Sequence, residues 1–193
     1  MRLPRQKMIE QKTVAIRTSV FPGLDVRDLW HHTKSDGFTS IPRTLPLVMN
    51  IVDDLTKGSP ASKTYFALWA RVFPEMYVNL QGAEELAYHS GLTGQRWKRD
   101  WEKRMRALAD LGFILIANGP RENLMHAVII NPHFAVRRLY IAETPGLTKA
   151  AFDSLVERAN QVGMTDMVSP LPEDAPAIPP IPPAPPTLAT PTT

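Results

Sequence analysis

The sequence contains no cysteine. This absence excludes disulfide bridges, thiolate catalysis and the usual structural zinc sites, and it suits a reducing cytoplasmic compartment. Long hydrophobic runs are also missing. No segment approaches the roughly 18 apolar residues of a membrane span, and the amino-terminal residues lack the apolar segment of a signal peptide. We therefore expect a soluble cytoplasmic protein with no membrane partner.

The sequence has little excess charge. It carries 22 basic and 19 acidic residues, for a formal net charge of +3. An excess this small neither supports nor excludes a nucleic-acid partner. Any prediction of nucleic-acid binding must therefore rest on where the charges lie in the sequence. Hydrophobic residues make up 44% of the sequence, enough for a folded core.

Motifs for catalysis are missing as well. There is no glycine-rich phosphate loop and no His-Glu-x-x-His sequence, and the five histidines are scattered. The acidic pairs Asp53-Asp54 and Glu84-Glu85 are sequence neighbours. Neighbours on a helix diverge by about 100°, which makes a poor clamp for a metal ion. We expect a protein that is not an enzyme, with no catalytic residue, metal or cofactor.

Composition divides the chain into three segments. Residues 1–40 are predicted to be a basic, partly irregular arm, in which residues 14–16 form a short strand. Residues 41–163 contain the periodic apolar patterns of a folded domain. Residues 164–193 are predicted to be a disordered Pro-rich tail, since ten of the 19 prolines lie between 170 and 193.

Two apolar helical segments open the folded domain. Thr44 is predicted to cap the first helix, with Pro46 in its first turn. Ser59 is predicted to cap the second helix, with Pro60 following it. Apolar residues recur at helical spacing in both segments, so we expect the two helices to pack as a pair.

The chain from Gly82 to Asn131 has the most informative order of elements. A strand is expected just before it, over residues 76–80. A short helix over 83–89 leads to a turn at Gly91, and Thr93 is predicted to cap a long helix over 94–110. The predicted elements that follow are a strand over 113–116, a turn-rich tip over 118–123 and a return strand over 124–130.

Charge is sorted around the predicted long helix. At 100° per residue, one continuous apolar stripe contains Trp97, Trp101, Met105, Leu108 and Leu111. Four cations share the opposite arc, with no acid among them: Arg96, Arg99, Lys103 and Arg106. Arg104 lies within the apolar stripe, so we expect it to extend its head group to the surface or to pair with an acid.

The sequence LTGQRWKRDWEKRMRALADLGFILI resembles winged helix-turn-helix DNA-binding proteins of bacterial mobile elements. This class includes small plasmid repressors and winged-helix plasmid replication initiators. The resemblance covers about residues 59–140. It implies a mainly α fold with a small antiparallel β-wing, the winged helix-turn-helix. The apolar periodicity adds N- and C-terminal helices to this fold, and the proline content adds a disordered tail. The residues that the resemblance implies lie toward DNA are Thr93, Gln95, Arg96, Arg99, Lys103 and Arg106, with Arg121 at the wing tip.

Three functions follow as expectations. The first is a bacterial, sequence-specific transcriptional regulator of a plasmid or integrative element, with double-stranded DNA as its partner. The second is an accessory protein for plasmid replication or partition. The third is a protein-interaction adaptor that docks through its Pro-rich tail. The predicted helix over 148–161 either completes the core or forms a homodimer contact, and the paired half-sites of helix-turn-helix proteins favour the dimer contact.

Overall fold

The computed structural model of the chain describes residues 4–31, 34–72, 74–120 and 123–172. The chain divides into two units, Met1–Phe38 and Thr39–Thr193. The described residues are mainly helical with one small antiparallel sheet. The elements are α1 (Pro4–Val20), α2 (Leu45–Leu55), α3 (Ser62–Trp69), β1 (Tyr77–Asn79), α4 (Ala83–His89), α5 (Trp97–Asp110), β2 (Ile114–Ala117), β3 (His126–Ile129), α6 (Pro132–Ile141) and α7 (Lys149–Gln161).

The amino-terminal unit is a helix followed by turns. The short strand predicted over residues 14–16 is wrong, because these residues lie inside α1. The hydroxyl groups of Thr13 and Thr18 donate to the carbonyl groups four residues earlier, which accommodates two residues of low helix propensity. In the described part of the chain, no helix has both the length and the apolar character needed to cross a membrane.

The start of α3 is set by α2 and by the turn that follows it. The predicted cap at Ser59 is wrong, since α3 begins at Ser62. The carboxylate of Asp53 accepts hydrogen bonds from the Ser62 backbone N–H at 2.9 Å and from the Ser62 hydroxyl at 2.7 Å. The Thr56 hydroxyl accepts a third from the Ala61 N–H at 3.1 Å. Two side chains outside α3 therefore satisfy donors at its first turn.

The three strands form a sheet in the order β1-β3-β2, with every pair antiparallel. Val78 lies opposite Ala127, and Ala127 lies opposite Ile116, so one row of side chains crosses all three strands. All three side chains are buried. This row presents one face of the sheet to the core formed with α3 and α5.

The last helix completes the core of its own chain. Leu155 and Ala159 of α7 are fully buried, and α7 packs against α2. Phe152 stacks on Tyr140 of α6, with ring centroids 3.8 Å apart and planes 7° from parallel. Thr148 caps α7 as predicted, accepting from the Ala151 N–H at 3.2 Å. Phe152 and Val156 on the same apolar face pack against this core and remain partly exposed.

A buried histidine at the start of α6 lies between the residue before α2 and the segment after α7. His133 is 1% exposed and Thr44 is fully buried. Thr44 makes no capping bond to α2; its hydroxyl lies 2.7 Å from Nε2 of His133 instead. The Nδ1 atom of His133 lies 3.2 Å from Oδ1 of Asn131 and 3.6 Å from Asp166. Burial lowers the pKa of His133, and Asp166 opposes that shift.

The chain after α7 is packed for several residues beyond the predicted start of the tail. Met167 is buried, and Arg137 donates from Nη1 to the carbonyl oxygens of Asp166 and Ser169 at 2.9 and 2.6 Å. Asn131 also donates to the Asp166 carboxylate at 2.8 Å. The predicted boundary at residue 164 is therefore too early. Residues 173–193, with most of the Pro-rich sequence, lie outside the described residues.

Replacing Asp53 with alanine is expected to destabilise the protein. The change leaves the first-turn donors of α3 without their acceptor, and loss of such a cap costs about 0.5–2 kcal/mol. Asp54→Ala provides the matched control, because Asp54 is the exposed neighbour on the same helix. The free energy of unfolding in urea measures both. Equal losses for the two variants would contradict the capping role.

The lowered pKa of His133 predicts that stability falls as the pH is lowered. Below about pH 6.5 the unfolded chain takes up a proton at this residue, whereas the folded chain resists doing so. The free energy of unfolding should therefore be highest above pH 6.5 and decrease toward pH 5.5, by at most about 1.4 kcal/mol per pH unit from this group. Urea titrations of His133→Gln should show a flatter decrease. A wild-type slope in His133→Gln would refute the assignment.

Candidate nucleic-acid interface

The turn between α4 and α5 contains two left-handed glycines. Gly91 has a φ of +75° and Gly94 a φ of +82°. The first is the predicted end of α4, where the Leu92 N–H donates to the Ala87 carbonyl at 2.9 Å. The second is incompatible with a right-handed helix, so it delays the start of α5 to Trp97.

This delay corrects the predicted beginning of the long helix. Thr93 does not cap α5, because Arg96 occupies the capping position and makes no side-chain capping bond. Gln95 and Arg96 lie in the turn before the helix and not on its first turn. Their side chains and that of Thr93 are exposed. The turn and the start of α5 therefore form one continuous exposed segment.

One face of α5 is buried as the apolar stripe predicts. Trp101, Met105 and Leu108 are almost fully buried, and Trp97 and Leu111 pack at the edge of the same core. This face lies against α3, α4 and β2. The burial fixes the rotation of α5, so the opposite arc must face solvent.

The predicted cations differ in their surroundings. Arg99 is exposed, with its Nε atom 3.5 Å from Asp100, and Arg106 is half-buried, 3.7 Å from Glu102. Arg96 and Lys103 are exposed, and no ion pair joins either to an acid among the residues that the structure describes. Arg96 and Lys103 are thus available for an anionic partner. Arg99 and Arg106 would have to leave the carboxylates of Asp100 and Glu102 to bind such a partner.

Arg104 is part of the scaffold. It is partly exposed, and no ion pair joins it to an acid in the described part of the chain. Its Nη1 donates to the Ser90 carbonyl at 3.3 Å, which links α5 to the end of α4. Its Nε atom is buried without a hydrogen-bond partner. The guanidinium therefore contributes to holding α5 against the end of α4, as its place in the apolar stripe suggests.

The formal charge of the chain is concentrated on this segment. Six basic and three acidic residues lie between Gln95 and Asp110, a net charge of +3. The whole chain has 22 basic and 19 acidic residues, so 16 of each sign remain elsewhere. The excess positive charge therefore coincides with α5 and the turn before it.

A further cation was missed by the helical arc. Lys98 is exposed and, within the described segments, is not part of any ion pair. It lies between the apolar stripe and the cationic arc, on the side of α5 that faces the hairpin. In the sequence, Lys98 directly follows Trp97, the first apolar residue of the stripe. This neighbouring position could have indicated that Lys98 lies at the edge of the apolar face.

The described residues of the hairpin beside α5 include no lysine, arginine, aspartate or glutamate. Asn118 accepts a hydrogen bond from the Leu124 N–H at 3.1 Å, and Leu124 has a φ of +55°, which fixes the return of the chain into β3. Arg121, the predicted contact at the tip, lies outside the described residues. The described residues also contain no group of three or more side chains arranged to hold a metal ion.

Comparisons with protein-family models, with curated proteins and with solved structures find no match for this chain.

Proposed function

We propose that the chain is a sequence-specific DNA-binding protein of the winged helix-turn-helix type and that it acts as a transcriptional regulator. In this proposal α4 and α5 are the two helices of the helix-turn-helix, and β2 and β3 form the wing. The start of α5 enters the major groove, where recognition helices of this kind read base edges. Double-stranded DNA is the partner, and no chemistry is required.

The order of elements supports the proposal. The helix α3 is followed by the short strand β1, then by α4, α5 and the β2–β3 hairpin. The strand β1 pairs with β3, the returning strand of the hairpin, and β2 of the hairpin packs against α5. A winged helix-turn-helix contains a short helix, a turn, a longer helix and an adjacent hairpin. These elements occur in this chain in the same order.

The distribution of charge carries the proposal. The excess positive charge of the chain coincides with α5 and its preceding turn, and the opposite side of α5 is buried in the core. DNA binding depends strongly on basic side chains that replace counterions at phosphates. A rigid helix with one face fixed in a core presents such side chains with little loss of conformational entropy on binding.

The proposed contacts follow from position along the segment. Gln95 and Arg96 in the turn and Arg99 in the first turn of α5 are assigned to base edges, since glutamine pairs with adenine and arginine with guanine. Lys103 and Arg106 lie further along α5 and are assigned to phosphates. Thr93 lies beside them, and Arg121 is assigned to the adjacent minor groove.

The biological role has a close alternative. Replication or partition accessory proteins of plasmids use the same kind of module, and DNA binding alone does not separate them from a regulator. Replication initiators often carry two winged helices. The described residues contain one sheet with one hairpin, which favours the regulator.

A role as a protein-interaction adaptor is the alternative from another class, and the sequence IPPIPPAPP favours it. A chain truncated after Pro172 separates the two roles, because it keeps the bonds from Arg137 to residues 166 and 169. Unchanged DNA affinity in this truncated chain, with loss of biological activity, would support the adaptor.

Lys103→Ala is expected to weaken binding to all duplexes alike. Loss of one phosphate contact should reduce the slope of log K against log salt concentration by about 0.9. Fluorescence anisotropy with a selected duplex and a random duplex, at several salt concentrations, measures the slope. Lys57→Ala is the control, because Lys57 is an exposed lysine outside the segment. The same slope for Lys103→Ala and wild type would exclude this phosphate contact.

Arg99→Ala is expected to reduce discrimination between bases. Loss of a bidentate contact to guanine costs about 1–3 kcal/mol at one base pair. Selection of bound fragments from a random DNA library, followed by affinity measurements on single-base variants, locates that base pair. Lys103→Ala serves here as the comparison, since it should keep the selected sequence. An unchanged base preference for Arg99→Ala would remove Arg99 from the base-reading residues.

A further inference from the structure

A cavity of about 470 Å³ lies between α5 and the hairpin. Its walls come from the end of β1, the first turn of α4, the first two turns of α5 and the residues that lead into β3. Sites for small molecules in proteins usually measure about 300–1,000 Å³. The size and the meeting of several elements fit such a site.

One tryptophan provides the accessible apolar part of the cavity wall. Trp97 is half-buried and lines the cavity at its edge. Trp101, Leu80 and Leu124 also line it, but they are almost fully buried and form the packed layer behind Trp97. An indole ring held in this way is a suitable contact for an apolar or aromatic group.

The charged groups around the cavity are of both signs. Lys98, Glu84 and Glu102 all line it. Glu102 is already 3.7 Å from Arg106. Lys98 and Glu84 are exposed, and neither takes part in an ion pair with another described residue. One ammonium group and one carboxylate therefore line the same cavity without forming an ion pair with each other.

We propose that this cavity binds a free amino acid with an apolar or aromatic side chain. The carboxylate of the ligand pairs with Lys98, its ammonium group pairs with Glu84, and its side chain lies against Trp97. A ligand with only one of these charges leaves the other protein group without a partner. The inference is independent of DNA binding, since the site and its ligand are tested without DNA.

Three matched probes test the charge requirement. L-Phenylalanine carries both charges, phenethylamine lacks the carboxylate, and 3-phenylpropanoate lacks the ammonium group. Calorimetry on the full chain should show binding of L-phenylalanine, with each single-charge probe about tenfold weaker, because each loses one charge-assisted contact. Quenching or a spectral shift of tryptophan fluorescence should accompany L-phenylalanine binding. Absence of L-phenylalanine binding up to its solubility limit would overturn the proposal.

Variants assign each charge. Lys98→Met should remove the advantage of L-phenylalanine over phenethylamine, and Glu84→Gln should remove its advantage over 3-phenylpropanoate. Lys57→Met and Glu157→Gln are exposed charge controls away from the cavity and should bind all three probes as wild type does. Equal binding of all three probes to the wild-type protein, or identical profiles for all four variants, would also contradict the proposal. DNA binding is measured on separate samples, so its failure is distinguishable from failure of this site.

Discussion

Burial of one face of α5 is the constraint on which the candidate interface depends. Trp101, Met105 and Leu108 occupy the centre of the core, against α3, α4 and β2. Replacing a buried residue of this size with alanine typically costs about 2–5 kcal/mol, so the rotation of α5 is strongly determined. Because the helix cannot turn about its axis, Arg99 and Lys103 must face solvent. The cationic surface is therefore a consequence of packing on the other side of the same helix.

The elements around this centre are held by polar contacts between residues that are distant in sequence. Asp53 on α2 caps α3, and Arg104 on α5 bonds to the carbonyl at the end of α4. His133 links the residue before α2 to the start of α6, while Arg137 holds the chain after α7. Buried polar groups are costly unless they are paired, so these contacts favour one arrangement of the helices. They join α2 to α3, α4 to α5, and α6 to the segments before α2 and after α7.

Sequence patterns predicted the features that depend on neighbouring residues. They did not predict hydrogen bonds between residues that are distant in the sequence. The apolar stripe of α5, the cap at Thr148 and the approximate positions of the strands follow from periodicity and capping preferences, and the structure agrees with them. The cap at Asp53 and the partner of Thr44 involve residues 9 and 89 positions apart, which no local pattern contains. The start of α5 was misplaced because a glycine in a helical pattern does not reveal its φ angle. The exposure of Arg99 and Lys103 was predictable from the helical arc, and the pair of Glu102 with Arg106 has the local i,i+4 spacing. The partner of Arg104 and the place of Lys98 beside a cavity required the packed structure.

The most direct test of the DNA-binding account is the change in backbone amide chemical shifts of the isotope-labelled full chain when a duplex is added at low salt. If the chain binds DNA through α5, the largest shift changes should lie between Thr93 and Arg106. The amide shifts of α6 and α7 should change little. The shift changes should also diminish as salt is raised, because the contacts include phosphates. Shift changes centred on α6 or α7, or no changes at low salt, would contradict the central claim that α5 and its preceding turn form a surface for DNA.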